Sequence, residues 1–198
     1  MTDNRNHIVG IDEVGRGPIA GPVAVCAFLC RSDFFDSIDI KTPLRDSKKL
    51  SKKQREEWYV YLRGQKKEGK CDYYVSYVSA ENIDKFGIAP AIRKALKVSL
   101  TKIAAELREV FVYLDGGLKA PEEYIHQETI IKGDELHPVI SCASIIAKVS
   151  RDAVMANYGK EYPEYGFEKH AGYGTRAHYD AIKKHGTIAM LHRKTFLK

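Results

Sequence analysis

Two apolar runs near the amino terminus, residues 8–12 and 23–29, are separated by the segment "GRGPIAGP". Gly and Pro crowd that segment too densely for helix or strand, so it has to be a loop between two predicted strands. The first strand ends in two adjacent acids, Asp12 and Glu13, and the loop after them holds Arg16 between Gly15 and Gly17. The aromatic and β-branched run "YYVSYV" at 73–78 predicts a third strand, "VFVYL" at 110–114 a fourth, and 129–132 a fifth. Ser51 is a candidate N-cap for a helix that Gly64 or Gly69 would stop. Residues 80–107 follow a helical pattern broken near Phe86-Gly87-Ile88-Ala89-Pro90. Residues 138–158 predict a helix with the apolar stripe Cys142, Ile145, Ile146, Val149 and Ala153, opposite Ser141, Ser144, Lys148 and Arg151. After a looser stretch rich in Tyr and Gly, residues 176–184 look helical. Helices thus follow the third, fourth and fifth strands, which predicts an α/β domain around a mixed sheet. The 198 residues suffice for one well-buried core, and 1–198 is read as a single domain.

Charge and cysteine usage narrow the class. Lys and Arg number 32 against 26 Asp and Glu, a formal net charge of +6, which suits an anionic partner such as nucleic acid without requiring one. Cys26, Cys30, Cys71 and Cys142 form no C-x-x-C pair and lie mostly in apolar surroundings. That pattern points to buried, reduced thiols rather than a disulfide scaffold. The polar opening "MTDNRNH" has no signal-peptide core. No apolar run approaches the roughly 20 residues of a membrane span, so a cytoplasmic protein with no membrane partner is expected.

Asp12-Glu13, Asp115 and Asp134 all fall at predicted strand ends, each close to glycine. The carboxyl ends of strands are where an α/β sheet builds its site. Taken singly, an Asp-Gly pair is an ordinary turn; three such places in a basic chain are a stronger signal. Converging carboxylates raise one another's pKa unless a cation sits among them. Oxygen donors of this kind suit Mg²⁺ or Mn²⁺. Two such ions about 3.5–4 Å apart activate a water and steady the leaving oxygen of a phosphodiester. No His/Cys cluster with zinc spacing competes.

The segments "GIDEVGRGPIAGPV", "DSKKLS", "YLDGG", "IKGDELHPVISCASIIAKVSRD" and "YPEYGFEKHAGYGT" run in order from residue 8 to residue 175. Together they resemble the ribonuclease HII family, the type 2 ribonucleases H. The resemblance implies a ribonuclease H-like fold, a five-stranded mixed sheet flanked by helices, with a helical C-terminal portion (residues 159–198) that contacts substrate. It implies that Asp12, Glu13, Asp115 and Asp134 are the catalytic, metal-binding acids for Mg²⁺ or Mn²⁺, two divalent ions being expected. It places the family's Gly-Arg-Gly motif on Gly15, Arg16 and Gly17, its junction-sensing tyrosine on Tyr173, and its loop lysines on Lys48 and Lys49. Lys148 and His170 are further candidate phosphate contacts. Glycines beside Arg16 would let a nucleic-acid backbone approach main-chain N–H groups, and the 2′-hydroxyl is what marks a ribonucleotide there. One departure stands after "SAENID", where Phe86-Gly87-Ile88 replaces the family's usual asparagine-isoleucine pair. The implied activity is cleavage of the RNA strand of RNA–DNA hybrids and nicking 5′ of single ribonucleotides in duplex DNA, leaving 3′-hydroxyl and 5′-phosphate ends. A monomer is expected. A ribonuclease HIII-like enzyme needing several ribonucleotides is disfavoured by the Gly-Arg-Gly motif, by Tyr173 and by the lack of a long N-terminal domain. A hybrid-binding module without catalysis is disfavoured by the four acids, which only weaken attraction to phosphate.

Overall fold

The computed structural model describes residues 7–45, 47–104 and 110–197. Its strands are β1 (His7–Val14), β2 (Val23–Arg31), β3 (Cys71–Val78), β4 (Phe111–Asp115) and β5 (Gln127–Ile130). They form one sheet in the order β3-β2-β1-β4-β5. β2 runs antiparallel to β1 and to β3, whereas β4 runs parallel to β1 and to β5, so the sheet is mixed as expected. The α-helices among the described residues are α1 (Lys52–Lys67), α2 (Ala80–Phe86), α3 (Ile88–Ala104), α4 (Gly133–Leu136), α5 (Pro138–Glu161), α6 (Phe167–His170) and α7 (Arg176–His185).

Period-two alternation divides the strands between two cores. Val9, Ile11, Val23, Val25 and Ala27 face α3 through Ile92, Leu96 and Leu100. Cys26, Phe28 and Cys30 face α1 and α5 through Trp58, Leu62, Ile145 and Ile146. β2 is covered on both faces, which is why its sequence is a continuous apolar run rather than an alternating one. All four cysteines are free and buried. No helix among the described residues is long and apolar enough to cross a membrane.

α5 lies unusually close to β1. A Cβ on Gly10 would stand 2.2 Å from the carbonyl oxygen of Val139, so only glycine allows this approach. The consequence for α5 differs from the expected amphipathic stripe. Residues 139–147 are buried all round, Ser141 and Ser144 included, and so is Arg151 further along. The serines are satisfied in place: Ser141 Oγ donates to the Asp134 carbonyl at 2.8 Å, and Ser144 Oγ shares a 2.8 Å hydrogen bond with Ser47 Oγ.

Helix ends follow their local chemistry. Ser51 and Gln54 close a reciprocal capping box at the start of α1. The helix runs through Gly64 and stops before Gly69, which has φ +70°. The break at Phe86 is real: Gly87 (φ +86°) ends α2 before α3 begins. Strand limits shift around the acids. β1 continues through Asp12 and Glu13 to Val14, and β5 ends at Ile130. Asp134 consequently lies in α4, not at a strand end. Asp46 and the tail of the expected helix, 105–109, lie outside the described residues.

Candidate active site

β1 and β4 bring the first acids together. Ile11 pairs with Leu114 in parallel register, so one step on, Asp12 and Asp115 stand side by side on the face covered by α5. Asp12 is 5 % exposed, and its carboxylate accepts from the Glu13 N–H at 2.7 Å. Burial pushes the Asp12 carboxyl well above the usual range; a hydrogen bond from Ser144 opposes this, and the charges of Glu13, Asp115 and Asp134 add to it. Glu13 is likewise raised by burial, against the pull of Arg16, whose Nη1 lies 3.6 Å from its Oε1. α4 supplies the fourth acid. Asp115 Oδ1 accepts from the Gly133 N–H at 2.7 Å and from the Asp134 N–H at 3.4 Å, tying the turn before α4 to the end of β4.

The loop lysines sit on this acidic end. Lys48 Nζ is 3.1 Å from Asp134 Oδ2, and Lys49 Nζ is 2.5 Å from Glu135 Oε2. Lys48 thus stands where a cation is wanted. Among the described residues no three His, Cys, Asp or Glu side chains are gathered into a ready cage for a metal ion. The acids share a field, while main-chain N–H groups and Lys48 hold their oxygens. Lys148 and His170 lie elsewhere. They line a cavity of about 510 Å³ with Lys52, Arg55, Lys169 and Tyr173, and none of the four acids borders it. Lys148 is paired with Asp152 at 2.9 Å. Both His170 nitrogens are engaged: Nδ1 accepts from the Gly172 N–H at 3.3 Å, and Nε2 meets the Tyr165 carbonyl at 2.9 Å. His170 therefore serves its own loop.

The Gly-Arg-Gly segment lies against the Tyr173 loop. Gly15 has φ +88°, and a Cβ there would stand 2.1 Å from Nε of Arg151, so this glycine is required by the protein interior rather than by a ligand. Gly17 differs: its nearest neighbour would be Tyr173 Cε1 at 3.9 Å, which leaves its main chain open. The Arg16 side chain is 63 % exposed and Tyr173 43 %. Ile19 and Ala20 both donate to the Gly172 carbonyl, at 3.0 and 3.2 Å, which joins the two loops.

Two buried arginines, whose part here sequence reading missed, lock this junction. Arg151 donates to the carbonyls of Pro22, Ala171 and Ala20 at 2.8, 2.9 and 3.3 Å. Arg193 donates to those of Gly21, Arg16 and Gly15 at 2.9, 3.0 and 2.7 Å. Both guanidiniums are pushed below their usual range by burial. An arginine spent on carbonyls from distant loops has no sequence signature. On sequence Arg151 belongs with Lys148 on the polar face of its helix, which gives no hint of this role.

Four carboxylates thus gather at one end of a mixed five-stranded sheet, near an open glycine loop and an exposed tyrosine. The sequence matches the family model described as Ribonuclease HII over residues 9–198. The chain belongs to the ribonuclease HII family. It is 41 % identical over 196 residues to the ribonuclease HII of Fusobacterium nucleatum, covering 97 % of this chain and 86 % of that one. Among solved structures, the ribonuclease HII of Archaeoglobus fulgidus, determined in complex with PCNA, superposes with a TM-score of 0.72 at 27 % identity, over 96 % of this chain and 95 % of that one. A Bst ribonuclease HIII solved in complex with Mn²⁺ has a TM-score of 0.72 at 15 % identity, over 96 % and 67 % of the two chains, and shares the fold. Membership of the ribonuclease HII family makes this chain a ribonuclease H, a nuclease of the hydrolase class.

Proposed function

We propose that this chain cleaves the RNA strand of RNA–DNA hybrids and nicks duplex DNA on the 5′ side of single ribonucleotides, leaving 3′-hydroxyl and 5′-phosphate ends. Asp12, Glu13, Asp115 and Asp134 would hold Mg²⁺ or Mn²⁺. The observation that carries this reading is the gathering of four acids at one end of the sheet, Asp12 and Asp115 side by side on β1 and β4 and Asp134 tied to them through Asp115; burial, and after it the charges of the other three, raise the Asp12 carboxyl. All-oxygen donors suit a hard divalent cation, and such a cation would relieve that repulsion. When bound, ions of this kind lower the pKa of a water and offset charge on the leaving oxygen.

The remaining residues have roles that follow from their surroundings. Gly17 is open, so its main chain is available to a sugar 2′-hydroxyl. Arg16 reaches from that loop into solvent and offers a phosphate contact beside Glu13. Tyr173 presents a half-exposed ring for stacking on a sugar that lacks the 2′-hydroxyl. Lys48, Lys49 and Lys148 stay as auxiliary phosphate contacts, each reached by exchanging its carboxylate partner. Residues 1–198 would then act as one catalytic unit, with 159–198 contributing Tyr173 and the segment behind it.

The test is a duplex DNA carrying one ribonucleotide, labelled at its 5′ end and titrated with Mg²⁺ or Mn²⁺. A metal-dependent nick leaving a 3′-hydroxyl 5′ of the ribonucleotide is expected. Cleavage of a continuous hybrid with no nick at the single ribonucleotide would reject the finer reading.

A further inference from the structure

Beneath the Tyr173 loop lies a buried group of histidines that the acid site does not use. The Ile188 N–H donates to His192 Nδ1 at 2.8 Å, so that nitrogen is bare and the proton of the neutral ring sits on Nε2. At the other end, His178 Nδ1 lies 2.9 Å from the Tyr173 carbonyl. A carbonyl only accepts, so Nδ1 carries the proton and His178 Nε2 is bare. The two rings meet Nε2 to Nε2 at 3.1 Å. The tautomers are fixed independently at the two ends, and in the middle a donor faces an acceptor. His178 is fully buried and His192 is 2 % exposed, so water does not compete for these bonds. His170 stacks on His178 with centroids 4.5 Å apart.

The residue after His192 is Arg193, which grips the Gly15 and Arg16 carbonyls from behind. His192 itself forms a bridge with Ala20, and the Arg193 N–H donates to the Ile19 carbonyl at 2.8 Å. Two consecutive residues therefore reach the two substrate-facing loops by separate buried routes. One passes through a guanidinium to the Gly-Arg-Gly main chain, the other through two imidazoles to the Tyr173 main chain.

We propose that His178, His192 and Arg193 are positioning residues that fix Tyr173 relative to the Gly-Arg-Gly loop and so set selectivity for a ribonucleotide followed by DNA. This rests on the reading that those two loops recognise the junction. A continuous hybrid offers ribonucleotides at every register and tolerates a displaced tyrosine; a single ribonucleotide offers one register only.

The experiment compares kcat/KM on a single-ribonucleotide duplex with kcat/KM on a continuous hybrid, both on the same preparation, so that the folded fraction cancels in the ratio. His178→Gln keeps an acceptor for His192 and loses the donor to Tyr173, whereas His178→Asn keeps that donor at the Nδ1 position. His192→Phe cuts the relay one bond further back and serves if His178→Gln does not fold. The ratio is expected to fall about 5-fold in His178→Gln, the effect of the lost buried hydrogen bond to Tyr173, and by a smaller and equal amount, about 2-fold, in His192→Phe and His178→Asn, which both keep that bond and lose only the one between positions 178 and 192. Tyr173→Ala should lower the ratio at least as far, and adding His178→Gln to it should lower it no further. A ratio that holds in His178→Gln and His192→Phe but falls in Tyr173→Ala overturns the relay alone. A ratio that also holds in Tyr173→Ala overturns the junction reading and the relay with it. Additive losses in the double variant show that His178 does not act through Tyr173, and overturn the inference.

Discussion

Asp12 bears burial and three neighbouring carboxylates at once. Its carboxyl is raised, so the metal-free fold favours the protonated acid. That stabilisation is present below the unfolded value and is lost as pH rises through the folded one. At neutral pH the ionised Asp12 therefore works against the fold, a burden that the divalent cation of the proposed function would relieve. Asp12→Asn keeps an oxygen for the Glu13 N–H and removes the charge. Its metal-free Tm should rise by a few degrees, at ~2–4 °C per kcal/mol for a chain of this size. The Tm gain expected for the wild type on adding Mn²⁺ should shrink, and cleavage should drop at least ~100-fold, since metal-borne stabilisation is worth several kcal/mol. Calorimetry with and without the ion, beside the nicking assay, checks all three. A lower metal-free Tm would show that the charge on Asp12 is not what burdens the fold. The gathering of the acids was legible because Asp12, Glu13, Asp115 and Asp134 stand in short motifs beside glycine. Gly15 was legible only as a motif member: the neighbour that excludes a side chain there is Arg151, from a helix more than a hundred residues away.

At the scale of elements, α5 shows what periodicity captures and what it does not. The stripe of Cys142, Ile145 and Ile146 was visible because apolar residues recur at helical spacing. The burial of Ser141, Ser144 and Arg151 was not, because each is satisfied by a partner from another element. The seating of α5 on β1 is set from the strand side by Gly10, and that seating brings Ser144 to Asp12. One substitution made at two glycines tests this. Gly10→Ala drives a methyl to 2.2 Å from the Val139 carbonyl, so it should destabilise by roughly 1–3 kcal/mol or more and slow cleavage by shifting Ser144. Gly64→Ala lies within α1 with nothing inside 4 Å, so it should stabilise by up to ~1 kcal/mol and leave cleavage alone. Urea midpoints of opposite sign are the expected outcome; a neutral Gly10→Ala would mean α5 can shift at no cost.

Across the whole molecule, the C-terminal segment is joined to the first loop, a relationship between residues 15–21 and 191–193 that no local pattern reveals. What holds it is hydrogen bonding to main-chain carbonyls, which is blind to side-chain identity at the accepting end. The histidine relay gives that closure a pH dependence. His178 is held down to about 4, chiefly by burial, with the neighbouring His170 and His192 also lowering it against the Tyr173 hydrogen bond; His192 is lowered by burial as well. A protonated His178 would turn its bare Nε2 into a donor facing the donor of His192. In this case the unfolded chain takes up the proton first, at its ordinary value near 6.5. Stability from His178 is therefore complete above about 6.5 and is lost as pH falls towards about 4. Asp12 and Glu13, both raised, act with the opposite sign in acid, so the net curve of the wild type conceals the relay. His178→Asn separates the two. It retains the donor to Tyr173, carries no titrating ring and leaves the carboxylates in place. Urea midpoints measured between pH 7.5 and pH 4.5 should show the wild type ahead at the upper end and the gap closing or reversing at the lower. A gap constant with pH would mean that His178 takes up its proton alike in the folded and unfolded chain, and the buried donor–acceptor chain would lose its physical basis.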